Sequence, residues 1–454
     1  MVDRKKKIKI CDKVKVSHKE EEDRISQLPE HLISEILDHL STKDAVRTSV
    51  LSTRWRYLWQ SVPGLDLSSY EFSKFDAFVS FVERFFNSHR ESWIRKLRLS
   101  YCSLGRSYLE SWIDAVTTRR IQHLKIDYDG YDKKIPLSLY TCETLVHLRL
   151  CYVTMCSAKF VSLPCLKFMH LENNEYPNET TLQKLISGSP ALEHLTITRA
   201  PIYDDANVVQ VRSHTLKTAY ICEFAEVVID APLLQSLKAT VSSTTNFHIV
   251  NLGSSAKLDF DLSYMRCSSS MIHDILTYIP LVRELVISNG IRKEIFQYSK
   301  SGPLLQFRDL SRLNVEFSKF DLETLPTLLE SCPKLESLVM FVFFRFFLQK
   351  LVRDESMRGK KKTEPKVMFS TTVPQCLVSS LKFVEWRRSI AGYERELELV
   401  RYFLKNSKIL EKFRVDTYYA GKAKCAFLQE LLTMPRCSSV CELHCSLIPK
   451  NIFG

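Results

Sequence analysis

The side chains in this sequence best suited to chemistry are cysteines, histidines and clustered carboxylates, and none falls into a catalytic pattern. Cys437, Cys441, His444 and Cys445 all carry ligating atoms. Their spacing (three, two and then no intervening residues) fits no common zinc arrangement. Val440 and Leu443 interleave with them as they would in a strand, so these cysteines are read as core. Asp127-Tyr128-Asp129-Gly130 opens like a calcium loop but lacks the closing glutamate, and is read as a turn. The sequence holds no H-E-x-x-H, no G-x-S-x-G, no EF-hand loop and neither glycine-rich phosphate motif. Its 11 glycines are about a third of average usage. Nothing marks an activated thiol. The expectation is a protein with no catalytic residue, no metal and no cofactor.

The remaining polar chemistry is a row of basic residues. In an L-x-L strand both aliphatics face the core, and the residue between them faces the opposite, concave surface. Those middle residues are Arg98, Lys125, Arg149 and His170, followed by Thr196. Four cationic or imidazole side chains in succession could select an acidic or phosphorylated partner. The plainer alternative is a solvated sheet face with no partner.

The elements that would position this row come from the periodicity. Aliphatic-x-x-aliphatic-x-aliphatic recurs at Ile94-Arg95-Lys96-Leu97-Arg98-Leu99 (shifted by one), at Ile121-Gln122-His123-Leu124-Lys125-Ile126 and at Leu145-Val146-His147-Leu148-Arg149-Leu150. It returns in strands starting near Leu192, Val282 and Leu335, with weaker copies near Leu166, Leu216, Leu234 and Leu310. Short helical patterns at 182–186, 272–276 and 325–329 lead through Ser189-Pro190, Ile279-Pro280 and Cys332-Pro333 into the strands that follow. Each unit exposes an apolar face that only a stacked neighbour can bury, which predicts a leucine-rich-repeat solenoid. A doubly wound domain would need longer helices and glycine-rich turns.

Before the repeats lies a small helical zone. Leu32, Ile33, Ile36, Leu37 and Leu40 recur at helical spacing after Leu28-Pro29. Ser41 is placed to cap a second helix, with Asp44 as in a capping box and Val46, Val50 and Leu51 as its apolar side. Ser52 is placed to cap a third helix carrying Trp55, Leu58 and Trp59. So small a module cannot bury all this apolar surface by itself, and a partner surface is expected. After the repeats, Val373-Pro374 begins another helix–turn–strand succession, with a helix expected over 394–404.

Charge and composition narrow the function. The chain has 454 residues, 45% apolar and 26% charged, which is ordinary globular composition. Of the net charge of +12, residues 1–24 carry +3 and residues 350–366 carry +4, leaving a nearly balanced body that is a poor phosphate binder. Nucleic acid is therefore an unfavoured partner. The longest apolar run, 338–348, is short and interrupted by Arg345, so no membrane span is expected. The basic opening of the sequence shows no apolar signal segment. Cys142, Cys151, Cys156, Cys165 and Cys222 sit in apolar stretches. The expectation is a soluble cytoplasmic or nuclear protein with reduced, buried cysteines, in which the sequon Asn178-Glu179-Thr180 has no use.

Asp23-Arg24-Ile25-Ser26-Gln27-Leu28-Pro29, then Ile36-Leu37, then Ser49-Val50-Leu51-Ser52-Thr53-Arg54-Trp55-Arg56-Tyr57-Leu58-Trp59, closely resembles the F-box of plant-type F-box proteins. Val373-Pro374-Gln375-Cys376-Leu377 through Leu381-Lys382-Phe383-Val384-Glu385-Trp386 resembles the FBD domain of the same family. The resemblance implies an α/β repeat protein: a basic tail over 1–22, an F-box over 23–69 and a repeat solenoid over 70–340. An FBD domain would follow over 373–447 and a tail over 448–454. The family would lead into the FBD by a short connection, and here the sequence departs from it: the aromatic and basic residues 341–372 are either an atypical insertion or a stretch that does not belong to the working protein. The aromatic run at the start of that insertion is an aggregation hazard if exposed.

The resemblance also implies a non-catalytic substrate receptor of an SCF-type ubiquitin ligase. Leu28, Pro29, Leu32, Ile36, Leu37, Leu40, Val46, Val50 and Trp55 would meet a Skp-type adaptor, and through it a cullin. Some of these apolar residues would instead hold the module together. Arg98, Lys125, Arg149 and His170 would face the target protein. The competing expectation is a repeat scaffold that binds nucleic acid or protein through its basic segments.

Overall fold

Apolar residues at every second position of a strand must all face one side, and the stacked strands of this protein obey that rule throughout. A computed structural model describes residues 25, 27–88, 93–103, 108–130, 133–199, 208–241, 246–253, 256–262, 282–288, 306–317, 325–342, 373–389, 394–417 and 429–447. The chain divides into two compact units, Met1–Ile94 and Arg95–Gly454.

In the first unit, helix α1 spans Glu30–Asp38 and α2 spans Thr42–Arg47. Ser41 caps α2 as expected, its hydroxyl accepting from the Asp44 backbone N–H. The expected third α-helix does not form. Thr48–Val50 and Leu58–Ser61 are short 3-10 segments joined by turns. Val50 and Leu51 therefore lie beyond α2, exposed by 85% and 65%, instead of forming its apolar side. Ile33, Leu37, Ala45 and Trp55 make the core, with Leu28, Leu58, Trp59 and Val62 packed against it. Strand β1 (Gly64–Ser68) is tied to α2 by the Asp66 N–H donating to Thr42 Oγ1. Helix α3 (Phe75–Ser88) completes the unit.

The second unit is a parallel sheet. Its strands run β2 (Lys96–Ser103), β3 (His123–Gly130), β4 (His147–Cys151), β5 (Phe168–Glu172) and β6 (His194–Thr198). The sheet continues through β8 (Thr218–Cys222), β10 (Ser236–Val241), β12 (Lys257–Leu262), β13 (Glu284–Ile287), β14 (Arg312–Phe317) and β15 (Ser337–Val342). It ends with β16 (Phe383–Ser389), β17 (Lys412–Thr417) and β18 (Glu442–Leu447). The weak copies near Leu166, Leu216, Leu234 and Leu310 are genuine repeats, each with that leucine fully buried ahead of its strand. Ala256-Lys257-Leu258 is a further copy that the aliphatic pattern alone misses, because alanine replaces the first leucine.

Helices α4 (Leu109–Thr117) and α5 (Thr180–Ser187) cover the inner side of early repeats, burying Leu109, Trp112, Ile113 and Val116, and Leu182, Leu185 and Ile186. In the middle of the array a second sheet takes their place, formed by β7 (Val208–Arg212), β9 (Glu226–Ala231) and β11 (Asn246–Leu252) in the order β11-β9-β7. These segments alternate β-branched or aromatic residues with polar ones, such as Val209 and Val211, Val227 and Ile229, and Phe247 and Ile249, a pattern that suits a strand and not a helix. The expected helix at 325–329 is α6 (Leu325–Glu330) and the one at 394–404 is α8 (Glu394–Asn406), with α7 (Gln375–Ser379) between them. The expected helix at 272–276 lies outside the described residues.

Residues 343–372 also lie outside them, but both flanks are clear. Phe341 and Val342, placed in the insertion from sequence, are the end of β15. Strand β15 pairs in register with β16, from Ser337 opposite Phe383 to Phe341 opposite Arg387. On the helical side Cys332 and Cys376 are both buried, and the Cys376 thiol donates to the Leu329 carbonyl. The repeats before and after this segment are direct neighbours.

Two details hold adjacent repeats together beyond the ladder. Asn174 is buried between β4 and β5, its Oδ1 accepting from the Val153 N–H and its Nδ2 donating to the Leu150 carbonyl, both at 2.9 Å. It completes a leucine-rich signature, Leu166-x-x-Met169-x-Leu171-x-x-Asn174. Along the outward face His123, His147, Phe168 and His194 are in register and stack, with centroid separations of 4.5, 4.1 and 4.4 Å. The stack ends where His194 Nδ1 and Thr218 Oγ1 share a hydrogen bond of 2.8 Å.

Asn174→Ala leaves a buried N–H and a buried carbonyl without partners, and should cost on the order of 2–4 kcal/mol in denaturant unfolding. The ring stack makes stability depend on pH. Burial first, then the charges of His147, Arg95 and Lys96, holds His123 below the ordinary imidazole range, and burial followed by His194 does the same for His147. Such groups favour the fold fully above their unfolded value of about 6.5, and that contribution is lost as pH falls from there toward the depressed folded values. The thermal midpoint should therefore drop on acidification through this window, and His147→Phe, which keeps the stack, should flatten the dependence.

Candidate interaction surfaces

The first surface is built by a helix that is apolar on two adjacent sides. On α1, Ile33 and Leu37 turn inward and are buried, while Leu32 and Ile36, four residues apart on the neighbouring side, are exposed, as is Leu40 just past the helix. Pro29 is the N-cap, with the extended ψ of 146° that starts the helix without a side-chain hydrogen bond. Arg54 holds this entry in place, its Nη2 donating to the Leu28 carbonyl at 2.5 Å. Arg54 is a positioning residue that counting apolar residues overlooks.

The nine residues expected to meet an adaptor thus separate by burial. Pro29, Leu32, Ile36, Leu40 and Val50 are exposed, and Leu28 and Val46 are half-buried. Leu37 and Trp55 are buried within the core, at 1% and 4% exposure. They support the surface from behind and do not present it. The structure adds exposed Ile25, Leu51 and Tyr57 around the same module. No helix among the described residues is long and apolar enough to cross a membrane.

The second surface is the outward face of the repeat sheet. Strand pairing aligns Arg98 with Lys125, Lys125 with Arg149, Arg149 with His170 and His170 with Thr196, so the expected row exists as one register column. Like charges act on each other there: burial, then Arg98 and Arg149, lowers the pKa of Lys125. The column is not uniformly cationic toward solvent, however. Glu172, one strand over from Cys151, gathers three side chains on a single oxygen. Its Oε2 lies 3.2 Å from Arg149 Nη2, 3.1 Å from His170 Nε2 and 3.5 Å from Cys151 Sγ. The His170 hydrogen bond is the largest cause that lowers the Glu172 pKa. Arg149 and His170 are therefore already engaged, which the row of middle residues read by itself cannot show.

At the far end of the sheet the same column is occupied by an internal network. Glu385 is nearly buried, 3.0 Å from Arg387 Nε and 3.5 Å from Arg414 Nε, and Arg414 Nε is 3.2 Å from Asp416. Arg387 also lies over the Phe341 ring at 5.1 Å.

The cysteines only partly match expectation. Cys142, Cys151, Cys332, Cys376 and Cys441 are buried, Cys156 and Cys222 are half-buried, and Cys165, Cys437 and Cys445 are exposed. The sequence pattern predicts Cys437 and Cys445 in the core. They are exposed because one precedes the last strand in a turn and the other lies on β18, the edge strand of the array.

Three family models match the chain. The F-box domain covers residues 25–66, the LRR repeats of the FBD-associated F-box protein At5g56370 cover 109–279, and FBD covers 370–415. Full-length similarity extends to proteins of Arabidopsis thaliana. The F-box/FBD/LRR-repeat protein At1g51370 is 61% identical, covering 97% of this chain and 99% of its own. The F-box/FBD/LRR-repeat protein At5g53840 is 48% identical, with 96% and 98% covered. The putative FBD-associated F-box protein At5g53635 is 41% identical, with 92% and 99% covered. With an F-box module, a parallel repeat sheet and an FBD segment in the same order along its whole length, the chain belongs to the F-box/FBD/LRR-repeat family.

Proposed function

We propose that this protein is the substrate-recognition subunit of an SCF-type ubiquitin ligase, joining a Skp-type adaptor to a target protein without a chemical step of its own. The observation that carries this reading is the exposed apolar side of α1. A helix of nine residues that buries Ile33 and Leu37 inside its own module and still leaves Leu32 and Ile36 exposed, with Leu40 exposed just past its end, is suited to a second packing partner. Pro29 and Leu28 lie at the start of that helix, Val46 and Val50 would extend the contact from the segments that follow, and Leu37 and Trp55 pack in the core behind it. A cullin would be reached through the adaptor.

The repeat sheet would hold the target. Arg98 and Lys125 head a column of positive potential, and an acidic segment running across the strands matches it in sign. Thr196 and Tyr220 continue the same column beyond His170 and offer hydroxyl groups.

Two measurements test these roles separately. Leu32→Ala together with Ile36→Ala touches exposed residues and should leave the thermal midpoint nearly unchanged. Capture of a Skp-type adaptor by the full chain should weaken by at least about tenfold, and the wild-type interaction should resist added salt because it is apolar. Failure of the soluble, folded chain to bind any adaptor tried would overturn the ligase reading. Arg98→Glu with Lys125→Glu should leave adaptor capture intact while abolishing retention of acidic peptides, and that retention should fall with ionic strength in the wild type. Acidic-peptide binding unaffected by the double charge reversal would remove the sheet face from the target site.

A further inference from the structure

Sheet geometry brings three different ligating atoms together on the outward face. Cys151 ends β4 and is the register partner of Glu172 on β5, so the two side chains stand side by side across one strand spacing. His170 precedes Glu172 by two residues and so shares its face. The thiol, the imidazole and the carboxylate each place an atom within 4.8 Å of the other two. Two of these separations are 3.1 Å, from His170 Nε2 to Glu172 Oε2, and 3.5 Å, from Cys151 Sγ to the same oxygen. Ligand atoms around a tetrahedral zinc ion lie roughly 3.3–3.8 Å apart, as its short bonds to sulfur, nitrogen and oxygen require. Among the described residues this is the single group of three cysteine, histidine or acidic side chains whose ligating atoms all lie within 4.8 Å of one another. The cysteines and histidine at the C-terminal end do not form one.

We propose that Cys151, His170 and Glu172 bind one zinc ion on the outward face of the repeat sheet, leaving a fourth position for water or for a side chain of a bound protein. Sulfur, nitrogen and oxygen donors in one set suit a borderline ion such as zinc, and are poor for magnesium or calcium. Binding releases the Cys151 proton to solvent, while His170 binds as the neutral imidazole. One thiolate and one carboxylate then balance the two charges of the ion. Cys151 is buried and its two partners are half-buried, so the ion would sit at the mouth of the strand pair, open on one side.

Arg149 gives the site its own signature. Its Nη2 is 3.2 Å from Glu172 Oε2 and competes with the ion for that oxygen. In the zinc-bound state Arg149 moves to the outside of the carboxylate, orienting it as an outer-shell partner, while its charge still opposes the ion. Zinc affinity should therefore be moderate in the wild type, should rise with pH because the thiol must lose its proton, and should increase in Arg149→Met.

The test uses the full chain with Cys437→Ser and Cys445→Ser, which removes the exposed thiols near the C-terminus, stripped of metal and titrated with cobalt chloride. One equivalent should develop both the visible bands of tetrahedral cobalt and a near-ultraviolet thiolate charge-transfer band, and zinc should bleach both. Cys151→Ser should lose the charge-transfer band. His170→Gln, a half-buried residue whose loss leaves the sheet intact, should abolish tight binding with an unchanged thermal midpoint. Arg149→Met should bind zinc about tenfold more tightly, consistent with removing one nearby, partly screened charge. The proposal fails if the folded chain takes up no cobalt, or if Cys151→Ser and His170→Gln bind it as the parent does. Because the readout is a spectrum of the isolated chain, it is independent of whether any adaptor or target is captured.

Discussion

At the entry to most strands of the long parallel sheet, two successive backbone N–H groups converge on one carbonyl of the preceding repeat. Gln122 and His123 donate to Arg95, Val146 and His147 to Gln122, and Lys167 and Phe168 to Val146. The same bifurcation passes to Glu193 and His194, Lys217 and Thr218, and Gln235 and Ser236, and is still present where Lys382 and Phe383 donate to Glu336. Together with the ladder hydrogen bonds, this repeated contact fixes the register of the strands that carry it. A slip of one residue would turn each aliphatic column out to solvent and each polar column into the core. The basic column, the ring stack and the convergence on Glu172 all follow from that register, since each is made of residues far apart in sequence that the ladder places side by side.

The reading of sequence succeeded where one physical rule acts alone. Period-two burial of aliphatics at Leu148 and Leu150, or Leu195 and Ile197, gives the strands directly, and the Ser41 cap with Asp44 gives the start of α2. It fell short where packing between elements decides. The stretch after Ser52 carries aromatic residues at helical spacing, yet it forms turns and a 3-10 segment, with Trp55 in the core. The inner side of the middle repeats is sheet because β-branched residues dominate there, a signal present in the sequence but masked by the expectation of a helix in every repeat. For the site, the column of Arg98, Lys125, Arg149 and His170 was legible from the L-x-L pattern. Glu172 was not, because its importance depends on a neighbour one strand away and not on its own position in a motif.

The two units use apolar surface in opposite ways. Among the described residues of the repeat sheet most aliphatics are buried, so the outward face carries mainly polar and aromatic side chains. In the helical unit the core is small, Ile33, Leu37, Ala45 and Trp55 with their neighbours, and apolar surface remains outside it. On the proposed reading, the adaptor contact of the helical unit would be insensitive to salt and the target contact of the repeat sheet would be one that salt can tune.

The junction of β15 and β16 shows what such an array permits. Their strands pair in unbroken register and the flanking cysteines Cys332 and Cys376 are both buried, although residues 343–372 intervene in the chain. Adjacency is guaranteed by hydrogen bonds across the sheet, so the length of covalent chain between two repeats is free to vary. A family built this way can lengthen or rewrite the return path of a repeat without moving any side chain of the outward sheet face. Variation in the connections and constancy of the sheet face are thereby separable in evolution.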